Sequence, residues 1–133
     1  MHPKFERASS LTGEVIGAAI EVHKAFGPGL LESIYEWALL CELELRGLAA
    51  KNQETVRIEY KGAVREEALR FDVLVENCLL VEAKAVEKVA PIHKAKLISY
   101  LKLLNVPLGL LINFHELKLT VGVSRLILPG AGR

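Results

Sequence analysis

Aromatic residues make up only 6% of this 133-residue chain, with a single Trp, so there is little from which to build a stacking platform for single-stranded bases. Cysteine is as scarce. Cys41 and Cys78 stand far apart, with no CxxC spacing and no Cys/His cluster near either. This argues against a structural zinc site, and both read as small buried hydrophobes in a reduced protein. Long apolar runs are missing too: the longest, such as Leu108–Ile112 with one Gly, are far too short to span a bilayer. The stretch Met1–Ser10 is polar, carrying Lys4, Glu6 and Arg7, and has no apolar centre of the kind a signal peptide needs. Neither sign of charge dominates, since 17 Lys plus Arg face 16 Asp plus Glu for a net +1, which argues mildly against strong non-specific polyanion binding. The expectation is a soluble cytoplasmic protein with no membrane partner.

What is abundant is apolar sequence, 51% of residues, arranged in periodic blocks that bury enough surface for one folded domain. Leu11, Val15, Ala18, Ala19, Val22 and Phe26 recur at helical spacing behind Ser10, predicting a helix that stops at Gly27-Pro28-Gly29. A second helix over Leu30–Arg46 is apolar almost all round and is expected to be central and well buried. The period then changes. Val56, Ile58 and Tyr60 alternate with Arg57 and Glu59, and Lys61-Gly62 offers a turn into a strand ending at Val75. Glu76-Asn77 turns into a strand over Cys78–Ala85, Pro91 opens a third helix to Leu104, and strands are expected at Leu108–Asn113 and Leu117–Leu126. The order is ααβββαββ: an α/β (α+β) fold with a mixed sheet flanked by helices. Residues 1–10 are expected to be a flexible arm, 11–128 the domain, and 129–133 a tail.

The chemistry sits where charge interrupts apolar strands. Asp72 lies within Phe71-Asp72-Val73-Leu74, and the next strand reads Leu80-Val81-Glu82-Ala83-Lys84. If these strands are antiparallel neighbours, Asp72 and Glu82 come together, and buried unpaired carboxylates are costly. A hard cation such as Mg²⁺ or Mn²⁺, which takes oxygen ligands, removes that cost. Lys84 then adds a positive charge able to position water or neutralise charge on a phosphate. The plainer alternative is an ion pair on a solvated sheet face. A third carboxylate, Glu32, begins the second helix, where it also suits the helix dipole, and Glu36 one turn on could take either role. His23 and His93 are candidates for polar contacts nearby, although a lone His is more often a packing residue.

The Gly29-x-x-Glu32-x-x-Tyr35 signature, Asp72, Glu82-x-Lys84, the run Pro91–Lys102 and the strand Gly109–Phe114 together resemble the GxxExxY protein family, which is assigned to the PD-(D/E)XK nuclease-like superfamily. The likeness runs from about Leu11 to Leu128. It implies a restriction-endonuclease-like core and a metal site in which Asp72 and Glu82 bind Mg²⁺ or Mn²⁺. It further implies that the carbonyl of Ala83 joins them, that Glu32 contributes from the helix, and that Lys84 is the catalytic lysine. One departure stands out: Lys96 occupies a third-helix position where that family usually has Gln, bringing a second positive charge toward the cation.

The function expected is metal-dependent hydrolysis of phosphodiester bonds in nucleic acid, DNA before RNA. Contacts would come from Lys88, His93, Lys94, Lys96 and Lys102. The alternative is a nuclease-fold module that binds nucleic acid or protein without cleaving. Cutting both strands with one small site per chain would take two copies, so a homodimer is expected. The +1 total conceals segregation. Lys84–Lys102 holds five Lys against Glu87 alone, while the second helix sets Glu32, Glu36, Glu42 and Glu44 against Arg46. Contact with a polyanion should therefore be local and sensitive to salt.

Overall fold

A computed structural model describes residues 1–132. The chain forms α1 (Phe5–Phe26), α2 (Glu32–Leu45), β1 (Ala50–Tyr60), β2 (Ala63–Val75), β3 (Leu79–Lys84), α3 (Pro91–Leu104), β4 (Leu108–Asn113), a 3-10 turn (Leu119–Gly122) and β5 (Val123–Ile127). One five-stranded sheet takes the order β1-β2-β3-β4-β5. Its neighbours are antiparallel except β3 and β4, which α3 joins as a parallel pair. This is the α+β arrangement, in the order ααβββαββ, that the hydrophobic periods predict, and it is consistent with a restriction-endonuclease-like core.

Two apolar layers flank the sheet. On one face α1 presents Ala8, Leu11, Val15, Ala18, Ala19 and Val22, a stripe at spacings of three and four, against Val73, Val75, Leu79, Val81 and Ala83. On the other, Leu97 and Leu101 of α3 pack on Phe71, Leu74, Leu80 and Leu111. Full burial of each of these two leucines is worth about 2 kcal/mol. All six residues of β4 are buried, as befits a central strand covered on both sides.

Three expectations need correction. Helix α1 begins at Phe5 rather than after Ser10, Ala8 is buried, and the His2 N–H donates to the Ala131 carbonyl, so residues 5–10 belong to the helix and Ala131 lies against the start of the chain. Helix α2 is not central: Tyr35, Ala38, Leu39 and Leu43 are buried, but Trp37 is 63% exposed, because only one face of this helix meets α1 and the sheet. The segment Leu117–Leu126 is not one strand. Its first half is the connection that returns the chain alongside β4. Only Leu119 there reaches the core, Leu117 is 89% exposed, and strand pairing starts at Val123 opposite Ile112. Among the described residues no helix is long and apolar enough to cross a membrane.

Candidate active site

The site begins with a register fault. Lys51 pairs with Leu74, but Gln53 pairs with Arg70, so β2 carries extra residues opposite Asn52. Alternation slips as a result: Phe71 and Leu74 both pack toward α3, while Val73 and Val75 pack toward α1 and α2. Such a bulge bends a strand and re-aims a side chain. Here the re-aimed side chain is Asp72, which faces Glu36 of α2. The β2–β3 ladder stops at Val73 opposite Val81, so the next positions, Asp72 and Glu82, face each other where the two strands part.

Backbone groups brace this opening. Asp72 Oδ2 accepts the Ala83 N–H at 2.7 Å. In an extended strand the N–H and C=O of one residue point the same way, so the Ala83 carbonyl also faces the opening. Glu32 Oε2 accepts the Ala85 N–H at 3.0 Å, and its Oε1 lies 4.0 Å from Lys84 Nζ. The strand beyond Lys84 is held from below. Asn113 is buried, donates from Nδ2 to the Val86 carbonyl at 2.8 Å, and accepts the Val86 and His115 N–H groups at Oδ1, each at 3.2 Å.

The Gly29-x-x-Glu32-x-x-Tyr35 spacing has a local cause. Gly29 adopts φ +93°, a conformation costly for side chains with a Cβ. The Tyr35 hydroxyl donates to the Gly27 carbonyl at 2.6 Å and accepts the Leu30 N–H at 3.0 Å, tying the turn to the helix it precedes. Its ring stacks on Phe114 with centroids 4.5 Å apart. The entry of α2 is thereby fixed, and Glu32 and Glu36, one turn apart, are delivered to the opening between β2 and β3.

The electrostatics follow from crowding anions into partly buried space. Burial first, then Asp72 and the other carboxylates, push Glu36 from 4.5 up to about 7. Burial and the Asp72 charge likewise lift Glu82 from 4.5 to about 7, with Lys96 and Lys84 acting in the opposite direction. Asp72 is raised by burial, against the Ala83 N–H and the hydrogen bond with Glu36. The Asp72 charge is one of the causes that raise Glu36, so the two carboxylates are a strained neighbour pair. Among the described residues no three carboxylate, imidazole or thiol groups are gathered tightly enough to form a ready metal cage. The donor set nonetheless fits a hard dication: it consists of carboxylate oxygens and a carbonyl, and their unbalanced negative charge is what such an ion neutralises.

A cleft of about 230 Å³ opens beside these groups, lined by Glu36, Asp72 and Glu82 together with Arg70, Lys96 and Tyr100. Of the basic residues expected to meet nucleic acid, Lys96 lines the cleft, with Nζ 5.7 Å from the Tyr100 ring centroid. Lys88, Lys94 and Lys102 are exposed and lie outside its lining. His93 accepts the Ala90 N–H at 3.1 Å at the start of α3, and His23 bonds the Glu116 carbonyl at 2.8 Å. In the sequence Glu36 stands only as a substitute for Glu32, and nothing there singles out Arg70 or Tyr100. The i, i+4 relation to Glu32 was the available signal for Glu36; the bulge that brings Asp72 to it leaves none.

No curated protein matches the chain. Among solved structures, the crystal structure of SSO0001 superposes with a TM-score of 0.52 at 20% identity, covering 95% of this chain and 61% of that one. The likeness is one of fold, and this chain spans less than two thirds of that protein's length. Residues 9–126, nearly all of the folded domain, match the PD-(D/E)XK nuclease superfamily. With that match added to the mixed sheet and the acidic opening between β2 and β3, the chain belongs to the PD-(D/E)XK nuclease superfamily.

Proposed function

We propose that the protein is a metal-dependent nuclease that hydrolyses phosphodiester bonds at the opening between β2 and β3, with DNA as the first substrate to test. The observation that carries this reading is the apposition of Asp72 and Glu82 where the β2–β3 ladder ends, with Lys84 two residues beyond and burial, then neighbouring carboxylates, lifting Glu82 and Glu36 to about 7. Asp72 and Glu82, aided by the Ala83 carbonyl and by Glu32, would hold Mg²⁺ or Mn²⁺. The ion supplies Lewis acidity toward a phosphoryl oxygen and makes water more acidic.

The remaining work falls to the chain itself. Lys84 is a partly buried cation steadied by Glu32, and its ammonium orients water and offsets negative charge developing on phosphoryl oxygens. Lys96 and Arg70 stand at the rim of the same cleft and hold phosphates of the bound strand. Lys88, exposed just ahead of α3, and Lys94 and Lys102, exposed on it, would add phosphate contacts outside the cleft, with His93 at the start of the helix. Cutting both strands requires two such sites, hence two copies of the chain.

The test incubates the purified protein with linear, circular and single-stranded DNA and with RNA, in Mn²⁺, Mg²⁺ or EDTA, beside Glu82→Ala and Lys84→Ala. Cleavage by the wild type in metal, lost in EDTA and in both variants, is expected. Cleavage that survives either substitution contradicts the assignment. Binding without cleavage under every condition would instead mark a fold that has kept its surface and lost its chemistry.

A further inference from the structure

Strand β1 is the outer edge of the sheet, and it is long, running from Ala50 to Tyr60. Beyond Gln53 its outward backbone groups take no hydrogen bond from any other described residue. An open edge of this length is a template for another strand. The hairpin tip adds apolar surface to it: Tyr60 is 70% exposed although Val56, Ile58 and Tyr60 share one face by alternation.

A second copy of this strand fits the edge in one register. Where two identical strands meet antiparallel about a two-fold axis, one residue lies opposite itself and its neighbours pair outward from it. Centring on Arg57 or Glu59 opposes like charges. Centring on Val56 sets Glu54 against Ile58, and centring on Thr55 sets Glu54 against Val56 and runs into the register shift at Asn52. Centring on Tyr60 runs at once into the Lys61-Gly62 turn, where both residues have positive φ. Centring on Ile58 sets Arg57 against Glu59 twice over and Val56 against Tyr60 twice over. These are opposite-charge and aromatic–β-branched pairs, the kinds that stabilise neighbouring strands. Within one chain Arg57 already reaches Glu59 at 3.2 Å, in a pair whose side chains are mostly exposed. Pairing links two such couples into an alternating square of charge, and the other face gains an unbroken apolar seam of Val56, Ile58 and Tyr60 from both copies.

We propose that β1 is a self-pairing edge: two copies of the chain join antiparallel through β1 with Ile58 opposite Ile58, making one continuous sheet of twice the width. The pairing stands on register and charge alone and does not rest on the nuclease reading. If that reading holds too, the dimer carries two cleavage sites on one sheet. A single strand pair buries less than a standard-sized interface, so the dimer should be weak, forming in the range of about 10–100 µM.

Two measurements test it on the full chain. In sedimentation up to about 300 µM, the wild type should associate, Arg57→Glu or Glu59→Arg alone should weaken association about tenfold, and the two together should restore it. In a Cys41→Ser background, Ile58→Cys should form a self-disulfide under mild oxidation at least about tenfold faster than Thr55→Cys, whose opposite number is Lys61 of the partner. Circular dichroism checks that each variant folds, and these hairpin positions lie outside the hydrophobic core. A monomer at every concentration overturns the proposal. So does a dimer that ignores the charge swaps, or one in which Ile58→Cys cross-links no faster than Thr55→Cys, which would place the contact elsewhere.

Discussion

Replacing Glu36 by Gln isolates the cost of crowding carboxylates at the opening between β2 and β3. The change keeps the shape and a donor toward Asp72 but removes the ionisation. Glu36 titrates at 4.5 when unperturbed and at about 7 in the folded chain. Between those values the folded state holds a proton that the unfolded chain has lost. Stability is therefore fully present below about 4.5, falls as pH rises toward 7, and levels off above it. At about 1.4 kcal/mol per pH unit the interval corresponds to at most about 3.5 kcal/mol. Glu36 is only partly buried, and solvent screening reduces this to about 1 kcal/mol. In a domain of this size that is about 4 °C in Tm. Thermal unfolding of the metal-free protein, followed by circular dichroism, should then show Glu36→Gln close to the wild type at pH 5 and about 4 °C above it at pH 8. Two melting curves that stay parallel from pH 5 to pH 8, or a variant less stable at pH 8, would refute the reasoning.

Added Mn²⁺ should raise Tm more at pH 8 than at pH 5, because at pH 5 protons already occupy Glu36 and Glu82 and compete with the ion; equal shifts at both values would count against a carboxylate site. Asn113→Ala strips three hydrogen bonds from buried backbone beside Lys84 and should cost about 2–3 kcal/mol in urea unfolding, with cleavage reduced as well. Unchanged stability would mean that water replaces those bonds. Gly122→Ala would put a Cβ 2.6 Å from the Asn113 carbonyl oxygen, and should cost about 2 kcal/mol by the same assay. A neutral result would show that the turn after β4 yields easily.

Much of this arrangement was legible in the sequence because periodicity reports burial. The change from helical spacing to alternation after Gly47 located β1 and β2, and the apolar run Leu108–Ile112, broken only by Gly109, marked the strand whose six residues prove buried. Asp72, Glu82 and Lys84 were visible as charges in strands otherwise too apolar to face water. Their meeting depended on the antiparallel pairing through Glu76-Asn77, which the structure shows as Val73 opposite Val81. The bulge at Asp72 was not legible, since it reflects a mismatch between two strands and not the pattern of either. Helix α2 misled because apolar content says how much surface a helix has to bury, not how many neighbours it finds: Leu39 and Tyr35 found them and Trp37 did not. Alternation over Leu117–Val123 misled for a related reason, as the chain there is turning back toward β5 and only Leu119 has core to enter. The early start of α1 was hidden by polar residues around Ala8, a small side chain that fits against the core without announcing itself.

Central to the proposed cleavage is a divalent cation that Asp72 and Glu82 would hold. Titrating the protein with Mn²⁺ at pH 7.5 and reading free ion by electron paramagnetic resonance would test this without any substrate. Wild type should take up one Mn²⁺ per chain, and Asp72→Asn and Glu82→Gln should each weaken uptake by about tenfold or more. Uptake of equal affinity in both variants, or none in the wild type, would contradict it.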